Sequence, residues 1–234
     1  MAAPPAHRSV IYDITRLITR FSRLVPNGID RVDLGYARHF LCDREDLGLL
    51  FGPIGVRVVD NRAARHVVRS IAEHWRETGN AGEDGELRRI VGLLAGSRSA
   101  GNLAAERQDG RTLASLRRFA GHGSFVGHSG LFPARDPVRT VPPGSIYLNV
   151  SQFPLWVDRY FRWLDRRPDV KAVFFIHDLL PLSHPELFPP AEAGRHAARL
   201  EVASRRAAGL VVASEYTREA VAEHLDAVRA VEES

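Results

Sequence analysis

The feature that most restricts the fold is a run of four apolar residues that ends abruptly in an imidazole and a carboxylate. Residues 173–176 (VFFI) have no polar alternation, which is typical of a strand buried on both faces of a parallel sheet. His177 and Asp178 follow directly, and open α/β sheets bind ligands beyond the carboxyl ends of their strands. The pair is therefore a catalytic candidate. The alternative is that His177 caps the strand and Asp178 begins a turn before Pro181.

Composition sets the size and the cellular compartment. A chain of 234 residues that is 44% apolar can bury a sizeable core in one large or two small domains. The single cysteine, Cys42, excludes an intrachain disulfide and favours a reducing compartment. Residues 1–9 lack the apolar segment of a secretion signal, and no apolar run has the length of a membrane span. These features predict a cytoplasmic protein.

The basic isoelectric point of 9.7 does not indicate a nucleic-acid partner. Of the 32 basic residues all but Lys171 are arginines, a bias typical of genomic codon usage. They are scattered among 28 acidic residues, and no nucleic-acid-binding motif accompanies them. The sequence therefore predicts no nucleic-acid partner.

Alternating strand and helix patterns predict the fold class. The order is typical of an α/β protein with a Rossmann-like, doubly wound, mostly parallel sheet, formed by a single domain over residues 1–234. An insertion at about 77–140 is Gly-rich and polar, and its histidines His122 and His128 lack further ligands, so no metal site is predicted. Strands are predicted at residues 9–13, 145–150, 173–176 and 210–213, with a strand and a turn within 48–59; helices are predicted at 31–42, 62–75, 154–166, 191–208 and 215–228.

Polar residues follow the carboxyl ends of these strands. A parallel sheet brings those ends to one edge, so we expect the polar side chains to lie close together. Between the first strand and the first long helix, Gly28 allows close backbone approach, and the helix N-terminus offers free N–H groups to an anion. Ser214 is also placed to cap the last helix. The pattern favours a polar, phosphorylated ligand, held by Asp13, Asn27, Gly28, Asp30, Arg31, Asn149, Ser151, Ser214 and Glu215 beside His177 and Asp178.

Three segments, in this order, resemble the GT-B glycosyltransferases of family 4. Residues 27–32 (NGIDRV) resemble the glycine loop of that family, and residues 177–181 (HDLLP) resemble its HD-x-x-P segment. Residues 211–217 (VVASEYT) are similar to the strand–Ser–helix junction that follows, and residues 12–17 (YDITRL) to a bacterial branch. The resemblance implies the N-terminal half of a GT-B fold, which mainly holds the acceptor.

The same resemblance implies a chemistry and residue roles. A sugar is transferred from a nucleotide-sugar to a saccharide or lipid-linked acceptor, with retention of configuration and without a metal or other cofactor. Gly28 would approach the donor diphosphate, His177 would hydrogen-bond the donor sugar or the acceptor, and Asp178 would orient the loop. Electrostatic stabilisation of the leaving diphosphate would dominate catalysis. Cell-surface polysaccharide assembly is the pathway that the family suggests.

The chain also departs from the family pattern. Family members pair this domain with a donor-binding C-terminal domain, which is absent from these 234 residues. Glu215 and Glu223 have the spacing of the donor-side Glu-x7-Glu motif but lie on one predicted helix without its Gly-rich context, so the match is attributed to chance. We therefore expect a truncated or split enzyme, weakly active alone and completed by a separate C-terminal-domain protein.

Two other functions are compatible with the same residues. One is a non-catalytic Rossmann-like module that binds a nucleotide or a sugar and regulates a partner. The other, a hydrolase that uses His177 and Asp178, is disfavoured because the chain has no Gly-x-Ser-x-Gly elbow.

A membrane contact is a further hypothesis. Arg16, Arg20 and Arg23 recur at helical spacing beside Leu17 and Phe21, which would form a short basic amphipathic surface. Such a surface could touch anionic lipid around a lipid-linked acceptor, at the inner membrane. The favoured alternative is a solvated arginine face beside a core stripe.

Overall fold

The computed structural model describes residues 8–21, 26–52, 55–94 and 135–232, and the side chains of these residues outside 78–94 and 228–232. The strands are β1 (Val10–Asp13), β2 (Leu47–Gly52), β3 (Gly55–Val59), β4 (Ile146–Asn149), β5 (Lys171–Ile176) and β6 (Ala207–Val212). The helices are α1 (Thr15–Arg20), α2 (Gly28–Arg38), α3 (Asn61–Leu94), α4 (Pro137–Thr140), α5 (Arg162–Asp165), α6 (Leu180–Ser183), α7 (Pro190–Arg206) and α8 (Glu215–Glu232). A π-helical turn covers His39–Asp43, and 3₁₀ turns cover Asp158–Tyr160 and Pro185–Leu187.

The sheet has the predicted Rossmann-like, mostly parallel architecture. Its strand order is β3-β2-β1-β4-β5-β6, and every neighbouring pair is parallel except the hairpin of β2 with β3. The chain first moves outward from β1 to β3 and then returns to β4 on the other side of β1. The connections therefore reverse direction between β1 and β4, and ligands of such sheets bind in the crevice at this switch point. The α/β fold class is confirmed.

The central strand β1 is buried on both faces, as expected for a doubly wound sheet. Tyr12 packs on one side with residues of α1, α2 and α3, among them Leu17 and Val67. Ile11 packs on the other side with Tyr147 of β4 and Val202 of α7. The strand ends that face the crevice therefore rest on a fully packed core.

The continuous helix predicted over residues 154–166 is wrong. The structure has instead the 3₁₀ turn at Asp158–Tyr160 followed by the single-turn helix α5. Phe161 and Trp163 are both buried, and both rings contact the ring of Tyr147. Residues two apart on an α-helix point about 200° away from each other. Burial of both rings against one strand thus requires the helix to be interrupted.

Helix α3 is longer than predicted, since it begins at Asn61 and ends at Leu94 rather than near Trp75. It covers the first part of the predicted insertion. The two histidines of that insertion, His122 and His128, lie outside the described residues.

A close approach of β2 to α3 requires the glycine at residue 48. A Cβ on Gly48 would lie 2.9 Å from the Cβ of Ala64, so Gly48→Ala forces a strand or a helix to move. We expect this substitution to lower the free energy of unfolding by about 1–3 kcal/mol, measured by urea denaturation.

Gly194→Ala is the matched control for this substitution. A Cβ at Gly194 meets no atom within 4 Å, and alanine is favoured in a helix interior by about 0.5–1 kcal/mol, so α7 should be stabilised. A Gly48→Ala protein at least as stable as the parent would contradict the close approach.

Candidate functional site

A cleft of about 610 Å³ opens at the carboxyl edge of the sheet, beyond β4 and β5. One wall is formed by α1 and the start of α2, and the other by α7 with the segment before it. The floor is formed by the loop after β4 and the residues that follow β5. The lining residues are Arg16, Arg20, Ile29, Ser151, Gln152, Phe153, Trp156, His177, Asp178, Pro181, Phe188, Pro189, Glu192, Arg195, His196 and Arg199.

His177 is fixed on the floor of the cleft in one tautomer. Its Nε2 lies 2.8 Å from the carbonyl oxygen of Val150, so Nε2 carries the proton and donates it. Burial lowers the pKa of His177, and the charge of Arg16 lowers it further. The hydrogen bond to Val150 and the charge of Asp178 act to raise it, but the net shift is downward. The ring is therefore neutral at pH 7. Its other nitrogen, Nδ1, makes no hydrogen bond to the described residues and is available as an acceptor.

Asp178 shapes the turn that follows β5. Its Oδ1 accepts the N–H of Leu180, 3.1 Å away, at the first residue of α6. Its backbone carbonyl accepts a hydrogen bond from Nε2 of His196, which ties the turn to α7. The carboxylate thus has a local structural contact and also lines the cleft.

Helix α7 turns a polar face toward the cleft. Glu192, Arg195, His196 and Arg199 are spaced i, i+3, i+4 and i+7, and all four line it. Arg199 donates from Nη1 to Nδ1 of His196 (2.8 Å), and its Nη2 lies 3.0 Å from Glu192. Its guanidinium also stacks over the ring of Trp156, 5.0 Å from the centroid. These contacts hold the wall of the cleft in place.

The floor is held from below by a buried polar network. Asp13 at the end of β1 accepts hydrogen bonds from the Tyr147 hydroxyl (2.7 Å) and Nδ2 of Asn149 (2.8 Å). Burial raises the pKa of Asp13 to about 6, although the hydrogen bonds from Thr15, Tyr147 and Asn149 act to lower it. Oδ1 of Asn149 in turn accepts the N–H of Gln152, 2.9 Å away. Asp13 and Asn149 therefore position the loop and are themselves fully buried.

The start of α2 is joined to α1 by an ion pair. Asp30 forms a capping box with Asn27, and its Oδ1 lies 2.7 Å from Nε of the buried Arg16. Arg16 is therefore buried and does not belong to the exposed basic surface predicted from Arg16, Arg20 and Arg23. Arg23 lies outside the described residues. Peripheral membrane contact has no support from this geometry.

The structure divides the predicted site residues into three groups. Ser151, His177 and Asp178 line the cleft, and Asp13, Asn149 and Asp30 lie buried beside it. The others are exposed outside its lining: Asn27, Gly28 and Arg31 at the start of α2, and Ser214 and Glu215 at the start of α8. As predicted, Ser214 caps α8, since its Oγ accepts the N–H of Thr217 at 3.2 Å. Glu215 pairs with Arg218.

The sequence reading missed most of the cation-bearing wall. The i, i+3, i+4, i+7 spacing of Glu192, Arg195, His196 and Arg199 was present as a signal. A solvated helix face has the same spacing, so the pattern alone does not identify a site. Nothing in the sequence pattern marks Gln152 or Trp156 as a residue of the cleft.

Among the described residues, no group of three His, Cys, Asp or Glu side chains could hold a metal ion. The helices in the described ranges include none that is long and apolar enough to cross a membrane. Comparison with protein-family models, curated proteins and solved structures finds no match to this chain.

Proposed function

We propose that this chain is the acceptor-side domain of a retaining glycosyltransferase that uses a nucleotide-sugar. The observation that carries the proposal is His177, a neutral imidazole of fixed tautomer on the floor of a cleft at the sheet's carboxyl edge. It belongs to the segment that resembles the HD-x-x-P segment of family 4. The Rossmann-like fold and the order of the other resembling segments support the same proposal.

The geometry of His177 suits recognition of a sugar hydroxyl. Because Nε2–H is bound to Val150, Nδ1 is the nitrogen left to accept a hydrogen bond from a hydroxyl of the donor sugar or the acceptor. The lowered pKa keeps the ring uncharged at neutral pH, so this acceptor is retained. Asp178 orients the turn that carries the imidazole.

The start of α2 is proposed to face the donor diphosphate. The capping box uses the N–H groups of Asn27 and Asp30, whereas those of Gly28 and Ile29 make no hydrogen bond within the described residues. A Cβ on Gly28 would meet no atom within 4 Å, so the approach is open. Free N–H groups and the helix dipole favour an anion there.

The proposal requires a donor-binding domain, either as a further domain of the same protein or as a separate protein. Transfer then depends on holding the two sugars in the cleft and on electrostatic stabilisation of the leaving diphosphate. No metal is assigned a role in this chain's site.

We expect His177→Ala to reduce sugar transfer about 10- to 100-fold, which is the loss typical of one buried hydrogen bond to substrate. Transfer from a panel of nucleotide-sugars would be measured with the chain alone and with a donor-domain partner. His184→Ala is the control, because His184 is an exposed histidine paired with Glu186 outside the cleft.

Equal activity of the His177→Ala and His184→Ala proteins would contradict the role of His177. Binding of a nucleotide-sugar by the folded chain and partner, without turnover, would favour a non-catalytic binding module instead.

A further inference from the structure

Two arginines on opposite walls of the cleft have hydrogen-bond donors that no described residue accepts. The side chain of Arg16 is only 9% exposed and binds Asp30 through Nε, while Nη1 and Nη2 make no hydrogen bond to any described residue. Arg199 uses its Nη atoms for His196 and Glu192, and its Nε is buried without a partner among the described residues. An unpaired buried donor such as Nε of Arg199 is costly, and together with the Nη donors of Arg16 it indicates a site for a group with acceptor oxygens.

Gln152 adds a third unused donor on the floor between these walls. It is 7% exposed, and its Nε2 has no hydrogen-bond partner within the described residues. Its backbone φ of 57° lies in the left-handed region, which is rare for a residue other than glycine. The hydrogen bond from its N–H to Asn149 holds it in this conformation. The backbone that carries this side chain is therefore held in a defined conformation beside the cleft.

The charges in the cleft favour an anion. Its lining contains four arginines against the carboxylates of Asp178 and Glu192. Arg16 is balanced by Asp30, but Arg195 and Arg199 share Glu192, at 3.5 and 3.0 Å. Burial lowers the pKa of Arg199, and the positive charges of Arg195 and Arg16 lower it further, so these cations repel each other. An anion between them would relieve this repulsion.

We propose that the cleft binds a phosphate or diphosphate group carried by the acceptor, between Arg16 and Arg199 and above Gln152. The assignment to the acceptor rests on the proposed function; the anion site does not. Charged guanidinium groups form strong hydrogen bonds to phosphate oxygens. Phe153, Trp156 and Phe188 lie beside the site and offer an apolar surface to the sugar or isoprenoid attached to the phosphate.

The anion site is tested by binding to the full chain, without any transfer reaction. Isothermal titration with inorganic pyrophosphate should give saturable binding that weakens with ionic strength. Arg199→Gln and Arg195→Gln should each weaken it about tenfold or more, since each removes one charged donor.

Arg205→Gln is the matched control, and it should change binding less than twofold. Arg205 is on the same helix, is 53% exposed against 48% for Arg195, and lies 3.5 Å from Glu201 and 3.1 Å from Asp158, but it is outside the cleft. Arg195 is exposed enough for its variant to fold, which keeps the test valid if Arg199→Gln is unstable. An equal loss in all three variants, or no saturable binding, would overturn the anion site.

Competition identifies the source of the phosphate. Displacement of pyrophosphate by geranyl diphosphate would support a lipid-linked acceptor, and displacement by glucose 1-phosphate a soluble phosphorylated saccharide. Preferential displacement by UDP, with the same dependence on Arg199, would overturn the assignment to the acceptor. Pyrophosphate binding is measured without sugar transfer, and the His177→Ala assay measures transfer. Failure of the anion site and failure of the proposed function are therefore distinguishable.

Discussion

Replacing Asp13 with alanine is expected to lower the free energy of unfolding by about 3–5 kcal/mol. Its carboxylate accepts hydrogen bonds from the Thr15 N–H and hydroxyl (2.9 and 2.5 Å), the Tyr147 hydroxyl (2.7 Å) and Asn149 Nδ2 (2.8 Å). All four residues are at most 2% exposed, so no water replaces the lost oxygens. The expected loss is large because several buried donors lose their acceptor at once.

Urea denaturation at pH 7.5 would measure this loss, with Asp136→Ala as the control. Asp136 also accepts a backbone N–H, that of Val138 at 3.0 Å, but it is exposed, so its removal should cost only about 1 kcal/mol. Asp13→Asn should fall between the two, since it keeps one acceptor oxygen. A loss for Asp13→Ala no greater than that for Asp136→Ala would contradict the role of the network.

The strands of this fold could be predicted because their residues have few alternatives. The run at residues 173–176 is uninterrupted and apolar, and polar residues mark its end, as they do for β1 and β4. Alternating strands and helices then imply a parallel sheet. The helix predicted at residues 154–166 does not form as one helix because of tertiary packing. The ring of Tyr147 contacts both Phe161 and Trp163, and this packing overrides the helical spacing of the sequence.

The candidate site was less predictable because position along a strand does not determine which way a side chain points. Asp13 and Asn149 do lie at the strand ends, as expected, but they point into the interior and bind each other. The sequence pattern placed Arg16 on an exposed surface with Arg20. In the structure Arg16 is buried and paired with Asp30, which lies fourteen residues further along the chain. Such long-range pairs leave no periodic signal, so the cleft required the folded structure.

The second large effect expected is a pH dependence of stability that arises from Asp33 on α2. Burial raises the pKa of Asp33 from 3.8 to about 8; the hydrogen bond from Tyr12 lowers it, Asp13 and Asp30 raise it and Arg16 lowers it. The Tyr12 hydroxyl lies 2.6 Å from Oδ1, and Oδ2 is buried without a partner in the described part of the chain. The folded state therefore holds a proton that the unfolded state releases near pH 4.

Because the folded state keeps this proton and the unfolded state does not, the free energy of unfolding falls as the pH rises. The contribution of Asp33 is fully present below the unfolded pKa of 3.8 and is lost as the pH rises through about 8. Asp33→Asn keeps an acceptor oxygen for Tyr12 but cannot ionise. Between pH 5 and pH 8 we therefore expect the variant to gain on the order of 3–4 kcal/mol relative to the parent protein.

The difference between the urea unfolding free energies of the two proteins, measured from pH 5 to pH 9, reports the titration of Asp33 together with its coupling to Asp13, whose pKa burial raises to about 6. His177 and His196 have lowered pKa values and oppose the trend, but they are common to both proteins and cancel. Asp158→Asn is the control, because Arg206 lowers the pKa of Asp158 and this carboxylate is ionised in both states throughout the range. Its difference should be independent of pH. A flat difference for Asp33→Asn as well would mean that Asp33 is ionised in the folded protein, with Arg16 close enough to stabilise two carboxylates.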